Sequence, residues 1–162
     1  MKTVLILRHA KSSWKHPDLD DHDRPLNKRG LRDAPRMGRL IEEAGLVPEL
    51  ICSSSATRAL TTARRVAEAC GYDGELRVVP ELYLAAPETY VDVLAALPDG
   101  LERVMLVGHN PGMADLVATL TGGEERFPTA ALAHVRLSAE RWDDLYGVPR
   151  GTLIELWRPK EL

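Results

Sequence analysis

The chain has 162 residues, 44% of them hydrophobic and 28% charged, with a net charge of −3 and a pI near 6.0. Such a composition fits a single globular domain over residues 1–162 and excludes a disordered, fibrous or disulfide-rich chain. With no basic excess, neither nucleic acid nor an anionic membrane is an expected partner, and any anion must be met by a local cluster of Arg and His.

The opening M-K-T-V-L-I-L-R ends its apolar run at Leu7, too early for a signal peptide, and no segment is long enough to cross a bilayer. Cys52 and Cys70 are too few for a disulfide framework, which makes a reducing cytoplasm the expected compartment. Residues 3–8 read as a strand buried on both faces. A polar loop follows, and apolar residues then recur at helical spacing over 29–44, with Gly45 as the stop. Pro35 inside that stretch predicts a kink, or a helix that starts near Ala34.

Residues 49–53 read as a second strand, and Ser54 or Ser55 as the cap of a helix over 56–69 that ends at Gly71. A strand over 76–79, a helix over 88–97 and a strand over 103–107 follow. Asn110 is the expected cap, and Pro111 the first residue, of a helix reaching about Leu120. Residues 131–137 and 152–157 alternate like two more strands, so that His134 reads as structural. Strands alternating with helices imply a three-layer α/β/α sandwich around a mostly parallel sheet, with ligands beyond the carboxyl ends of the strands.

His9, the turn before Arg58, and His109 all fall just past such strand ends. Arg8, His9, Arg58 and His109 would then share one edge, a set suited to a phosphoryl dianion. Cys52 and Arg58 also have the spacing of the phosphate loop in cysteine-dependent phosphatases, which offers a rival nucleophile. Against it, Ile51 rather than His precedes the cysteine, no glycine lies in 53–57, and Ala59 follows the arginine where a hydroxyl would help. The acidic stretch with His16, Asp18, Asp20, Asp21, His22 and Asp23 matches no standard metal spacing and reads as a solvated loop near the pocket rim.

The segments L-I-L-R-H-A-K-S-S-W, D-R-P-L-N-K-R-G, S-S-S-A-T-R-A-L-T-T-A and V-G-H-N-P-G resemble, in order, the four signature segments of the histidine phosphatase superfamily, also called phosphoglycerate mutase-like. The short chain and the Arg-His-Ala-Lys opening are most similar to its SixA-type phosphohistidine phosphatase branch. The resemblance implies a cofactor-independent phosphatase in which neutral His9 attacks phosphorus, while Arg8, Arg58 and His109 bind the phosphoryl oxygens. It requires no metal, since the cations are side chains. Arg24 matches a pocket arginine of that branch, and Ser12 and Asn110 are expected to touch the substrate.

Two departures stand out. Ala10 replaces the usual glycine, and Glu81 is the only carboxylate where larger members carry a general acid. A site without an acid suits substrates with a P–N bond, such as a phosphohistidine on a phosphotransfer protein. The alternatives are a small-molecule phosphomonoesterase of the same family, or a non-catalytic phosphate-binding module.

Overall fold

The computed structural model describes residues 1–147 and 149–162. Six strands, β1 (Lys2–Arg8), β2 (Leu50–Ser53), β3 (Leu76–Val78), β4 (Arg103–Gly108), β5 (Leu132–Leu137) and β6 (Gly151–Trp157), form one sheet in the order β3-β2-β4-β1-β5-β6. The pairings β3–β2, β2–β4 and β4–β1 are parallel, while β1–β5 and β5–β6 are antiparallel. Only β5 therefore runs against the other strands. Four helices cover the sheet: α1 (Lys28–Glu43), α2 (Thr57–Cys70), α3 (Pro87–Ala95) and α4 (Gly112–Thr121).

The central strands β1, β2 and β4 read as near-continuous apolar runs because both faces are buried. Along β1, Leu5 and Leu7 pack with Met37 and Ile41 of α1 and with Ala59, Ala63 and Val66 of α2. Val4 and Ile6 point the other way, into a core shared with Tyr90, Val91 and Leu94 of α3 and Met113, Leu116 and Val117 of α4. Each such side chain, fully withdrawn from water, contributes roughly 1.5–3 kcal/mol.

The layering follows from crossover handedness. The chain steps outward from β1 to β2 to β3, which puts α1 and α2 on one face, and then returns to insert β4 between β2 and β1, which puts α3 on the other. That reversal opens a crevice beyond the carboxyl ends of β1, β4 and β2.

Pro35 does not delay α1, which runs from Lys28 to Glu43 with the proline inside it. Asn27 caps it by accepting from the Gly30 N–H at 2.9 Å, and the buried stripe Ala34, Met37, Gly38 and Ile41 outweighs the one missing donor. At the other correction, α4 starts at Gly112 with Pro111 as its cap, one residue later than expected. The Asn110 side chain still serves that helix end, its Oδ1 accepting from the Ala114 N–H at 3.1 Å.

Gly30 shows why a glycine ends the D-R-P-L-N-K-R-G segment. A Cβ there would stand 2.2 Å from the Lys11 carbonyl oxygen, which already accepts from the Asn27 N–H at 3.0 Å. Helix propensity alone would make Gly30→Ala stabilising by up to about 1 kcal/mol. The close approach predicts the opposite, a loss of about 2 kcal/mol or more, read from the shift of the urea unfolding midpoint. A raised midpoint would disprove the contact.

Candidate active site

His9 leaves β1 with its backbone clamped on both sides. Its N–H donates to the Gly108 carbonyl and its carbonyl accepts from the Ala130 N–H, both at 3.0 Å. The Ala10 N–H donates to Thr62 Oγ1 at 3.0 Å, and the Thr62 hydroxyl donates to the Arg58 carbonyl at 2.7 Å. A buried hydroxyl on α2 thus ties the helix of Arg58 to the loop of His9. Ala10 is fully buried and is not among the residues with positive φ, so its methyl group causes no strain.

The His9 ring is preset. Nδ1 lies 2.8 Å from the Ala10 carbonyl oxygen, which can only accept, so Nδ1 carries the proton and Nε2 keeps its lone pair. Burial is the main influence lowering the His9 pKa to about 3, and His109, Arg58 and Arg8 push the same way. The imidazole is therefore neutral at pH 7.

His109 follows β4, its ring centroid 5.2 Å from that of His9. Its Nε2 is 2.8 Å from Ser54 Oγ. That hydroxyl also accepts from the Ala56 N–H at 3.2 Å. Burial, and then Arg58, lowers the His109 pKa to about 4. Ser54 thus orients His109, but neither it nor Ser55 caps α2 as the sequence suggests: the helix starts at Thr57 with Ala56 as its cap and no side-chain cap bond.

Arg8 donates from Nη1 to the Phe127 carbonyl at 3.1 Å, the same oxygen that accepts from Asn110 Nδ2 at 2.7 Å. Arg58 donates from Nη1 to the Asp21 carbonyl at 2.7 Å and from Nη2 to Asp21 Oδ2 at 2.9 Å. Arg8 Nε, Arg58 Nε and His109 Nδ1 are buried without a partner among the described residues. The Nε–H groups of Arg8 and Arg58 are thus donors that the protein itself does not use.

One cleft of about 300 Å³ is lined by Arg8, His9, Arg58, His109, Arg24, Ser12 and Asn110, together with Lys11, Trp14, Leu84 and Thr129. Every expected site residue except Glu81 is brought there. Ser12 reaches the site through Arg24, its Oγ accepting from Arg24 Nη1 at 2.8 Å. Asn110 spends Nδ2 and Oδ1 on Phe127 and Ala114, which makes it a brace of the loop.

Glu81 does not line the cleft. It is exposed in the short turn Pro80–Leu82, and the chain presents Tyr83 and Leu84 to the site instead. The Tyr83 ring lies edge-on to His109 with centroids 5.5 Å apart. The expected acid position is thereby filled by residues without a carboxyl group.

Asp21 is the participant that spacing alone missed. Beyond Arg58, its carboxylate accepts from the Tyr83 hydroxyl at 2.5 Å and from Arg24 Nε at 3.1 Å. The Tyr83 hydroxyl, then Arg58 and Arg24, hold its carboxyl well below the usual carboxylate range. Nearby, His22 Nε2 lies 2.9 Å from Ser55 Oγ. The acidic loop is thus partly an anchor for the arginines rather than merely a solvated rim. Among the described residues no group of three or more His, Cys, Asp and Glu is arranged to hold a metal ion.

Cys52 is fully buried and packs into the core beneath α3 and α4. Burial pushes its thiol up to about 11, so almost none of it is thiolate at pH 7.

Comparison with known proteins places this geometry. Residues 4–83 match the histidine phosphatase superfamily (branch 1). An uncharacterized chloroplast protein of Arabidopsis thaliana is 30% identical over 95% of this chain and 76% of its own. Among solved structures, a protein of Agrobacterium tumefaciens assigned as the phosphohistidine phosphatase SixA is similar, with a TM-score of 0.84, 31% identity and 98% of both chains covered. The protein histidine phosphatase SixA complexed with tungstate is also similar, with a TM-score of 0.85, 26% identity and 98% of both chains covered.

Proposed function

This chain belongs to the histidine phosphatase superfamily and is a phosphatase, and we propose that it removes the phosphoryl group from phosphohistidine carried on a protein, such as a phosphotransfer domain. His9 Nε2 attacks phosphorus in line as the bond from phosphorus to the substrate nitrogen breaks, and the electron pair of that bond stays with the departing ring. With a proton from water on its other nitrogen, that ring leaves as neutral imidazole. Phosphorylated His9, still protonated at Nδ1 against the Ala10 carbonyl, is a cationic imidazole and is itself a good leaving group. Water then attacks phosphorus, His9 departs neutral, and inorganic phosphate and a proton are released. Arg8, Arg58, Arg24 and His109 stabilise the charge on the phosphoryl oxygens.

The bond from His9 Nδ1 to the Ala10 carbonyl supports His9 as the nucleophile. The observation that carries the substrate class is the lining of the cleft, which holds Arg8, Lys11, Arg24 and Arg58 but no carboxylate. Asp21, the carboxylate bonded to Arg58, is held ionised at neutral pH. An alkoxide leaving group needs an acid and imidazole does not. A cytoplasmic setting, with Cys52 and Cys70 unpaired, is part of the same proposal.

The test compares kcat/KM for a phosphohistidine protein and for phosphoramidate with that for glycerol phosphate. The P–N substrates should lead by about 100-fold or more, the usual worth of a general acid that the ester would lack. If glycerol phosphate leads, the substrate class is wrong and the enzyme is a phosphomonoesterase.

A further inference from the structure

Two apolar side chains stand in solvent at the phosphoryl cleft. Trp14 is 73% exposed and Leu84 is 57% exposed, yet both line the cleft that holds His9. Leu84 adopts φ +50, in the left-handed region that a leucine rarely occupies. A strained, exposed leucine at the mouth of an active site is a feature that folding alone does not call for.

The indole is held in place rather than loose. One face lies on the Arg24 guanidinium, with Arg24 Cζ 3.6 Å from the ring centroid. Arg24 is in turn fixed by Ser12 Oγ at 2.8 Å, the Ser13 carbonyl at 3.1 Å and Asp21 Oδ1 at 3.1 Å. With one face on Arg24 and 73% of its surface exposed, the ring leaves its other face open to solvent at the mouth of the cleft that it lines. Such a face attracts a flat ring, above all one carrying positive charge.

We propose that Trp14, aided by Leu84, forms a leaving-group subsite that stacks the planar nitrogen ring bonded to phosphorus. This rests on the phosphohistidine reading above and adds to it a residue that selects the leaving group. The protonated imidazole of the substrate is both planar and cationic, so it meets the indole as a stacked ring while Arg24 holds the phosphoryl side. An acyclic P–N compound offers the same phosphoryl group with nothing to stack.

The test pairs phosphoimidazole with phosphoramidate, which differ in having or lacking the ring, in wild type, Trp14→Ala and Trp14→Phe. Inorganic phosphate serves as a competitive inhibitor that reports on the anion site alone. In Trp14→Ala, kcat/KM for phosphoimidazole should fall about 5- to 10-fold, mostly in KM. Phosphoramidate turnover and the Ki of phosphate should stay within about 2-fold, since one stacked ring is all that is removed. Trp14→Phe should keep most of the preference, and Leu84→Gly should lose part of it without loss of thermal stability.

An equal loss on both substrates with weaker phosphate binding would mean that the indole only props Arg24, and no loss on either would mean that it touches no leaving group. Both results overturn the subsite. If the wild type turns over only phosphate esters, the phosphohistidine reading fails. The subsite is then scored on phenyl phosphate against glycerol phosphate, where a loss confined to the phenyl ester supports it and an equal loss overturns it.

Discussion

His9→Ala should abolish phosphate release from a phosphohistidine protein, with a loss of about 10⁶ in kcat as for other removed nucleophiles, while Cys52→Ser should stay within about 2-fold of wild type, because a group far from the reacting atoms is removed. The two residues compete on paper, since Cys52 and Arg58 have the spacing of a cysteine phosphate loop. In the fold they diverge. Cys52 lies on β2 with its side chain in the core beneath α3 and α4, and burial lifts its thiol to about 11. His9 sits in the cleft with Nε2 free and the ring neutral. Cys52→Ser buries a hydroxyl in an apolar core and should cost about 1–3 kcal/mol of stability, so the assay belongs well below its melting temperature. His9→Ala should retain binding of inorganic phosphate, because Arg8, Arg58 and His109 remain. A folded but inactive Cys52→Ser would place the nucleophile on sulfur.

The strands were legible because a parallel sheet covered on both faces needs continuous apolar runs, and Val4 to Leu7 and Val104 to Val107 are such runs. The cationic set was legible for a related reason: His9 and His109 each follow a strand, and strand ends in this architecture converge on one edge. What spacing could not reveal depends on contacts far apart in the chain. Asp21 sits 37 residues before Arg58 in a stretch with other carboxylates, and only the packing of that loop against α2 singles it out. Ser54 reads in the sequence only as a capping residue and Thr62 draws no attention, because their partners, His109 and Ala10, follow β4 and β1, far away along the chain. Glu81 failed as an acid by a small displacement. The turn Pro80–Leu82 ends before the chain reaches the cleft, so Tyr83 and Leu84 arrive in its place.

Arg58→Ala should lower kcat by about 10² to 10³, the usual cost of removing one preorganised donor to transition-state charge. Asp21→Asn should cost about 10-fold on the same ground, because the carboxylate fixes Arg58 Nη2 at 2.9 Å and Arg24 Nε at 3.1 Å and acts on substrate only through them. The double variant should be little worse than Arg58→Ala alone, since an anchor has nothing left to do once most of what it holds is gone. The change leaves the Arg58 guanidinium, whose side chain is 4% exposed, without its carboxylate partner, so the variant should also lose stability and is assayed well below its melting temperature. Substrate dependence separates positioning from acid catalysis. A positioning residue slows phosphoramidate and glycerol phosphate by the same factor, because both transfer the same phosphoryl group to His9. A proton donor would slow only the ester, whose alkoxide needs the proton. The Tyr83 hydroxyl, Arg58 and Arg24 keep Asp21 ionised at neutral pH, so the equal factor is expected. A loss confined to glycerol phosphate would make Asp21 the acid and remove the ground for a preference for P–N bonds.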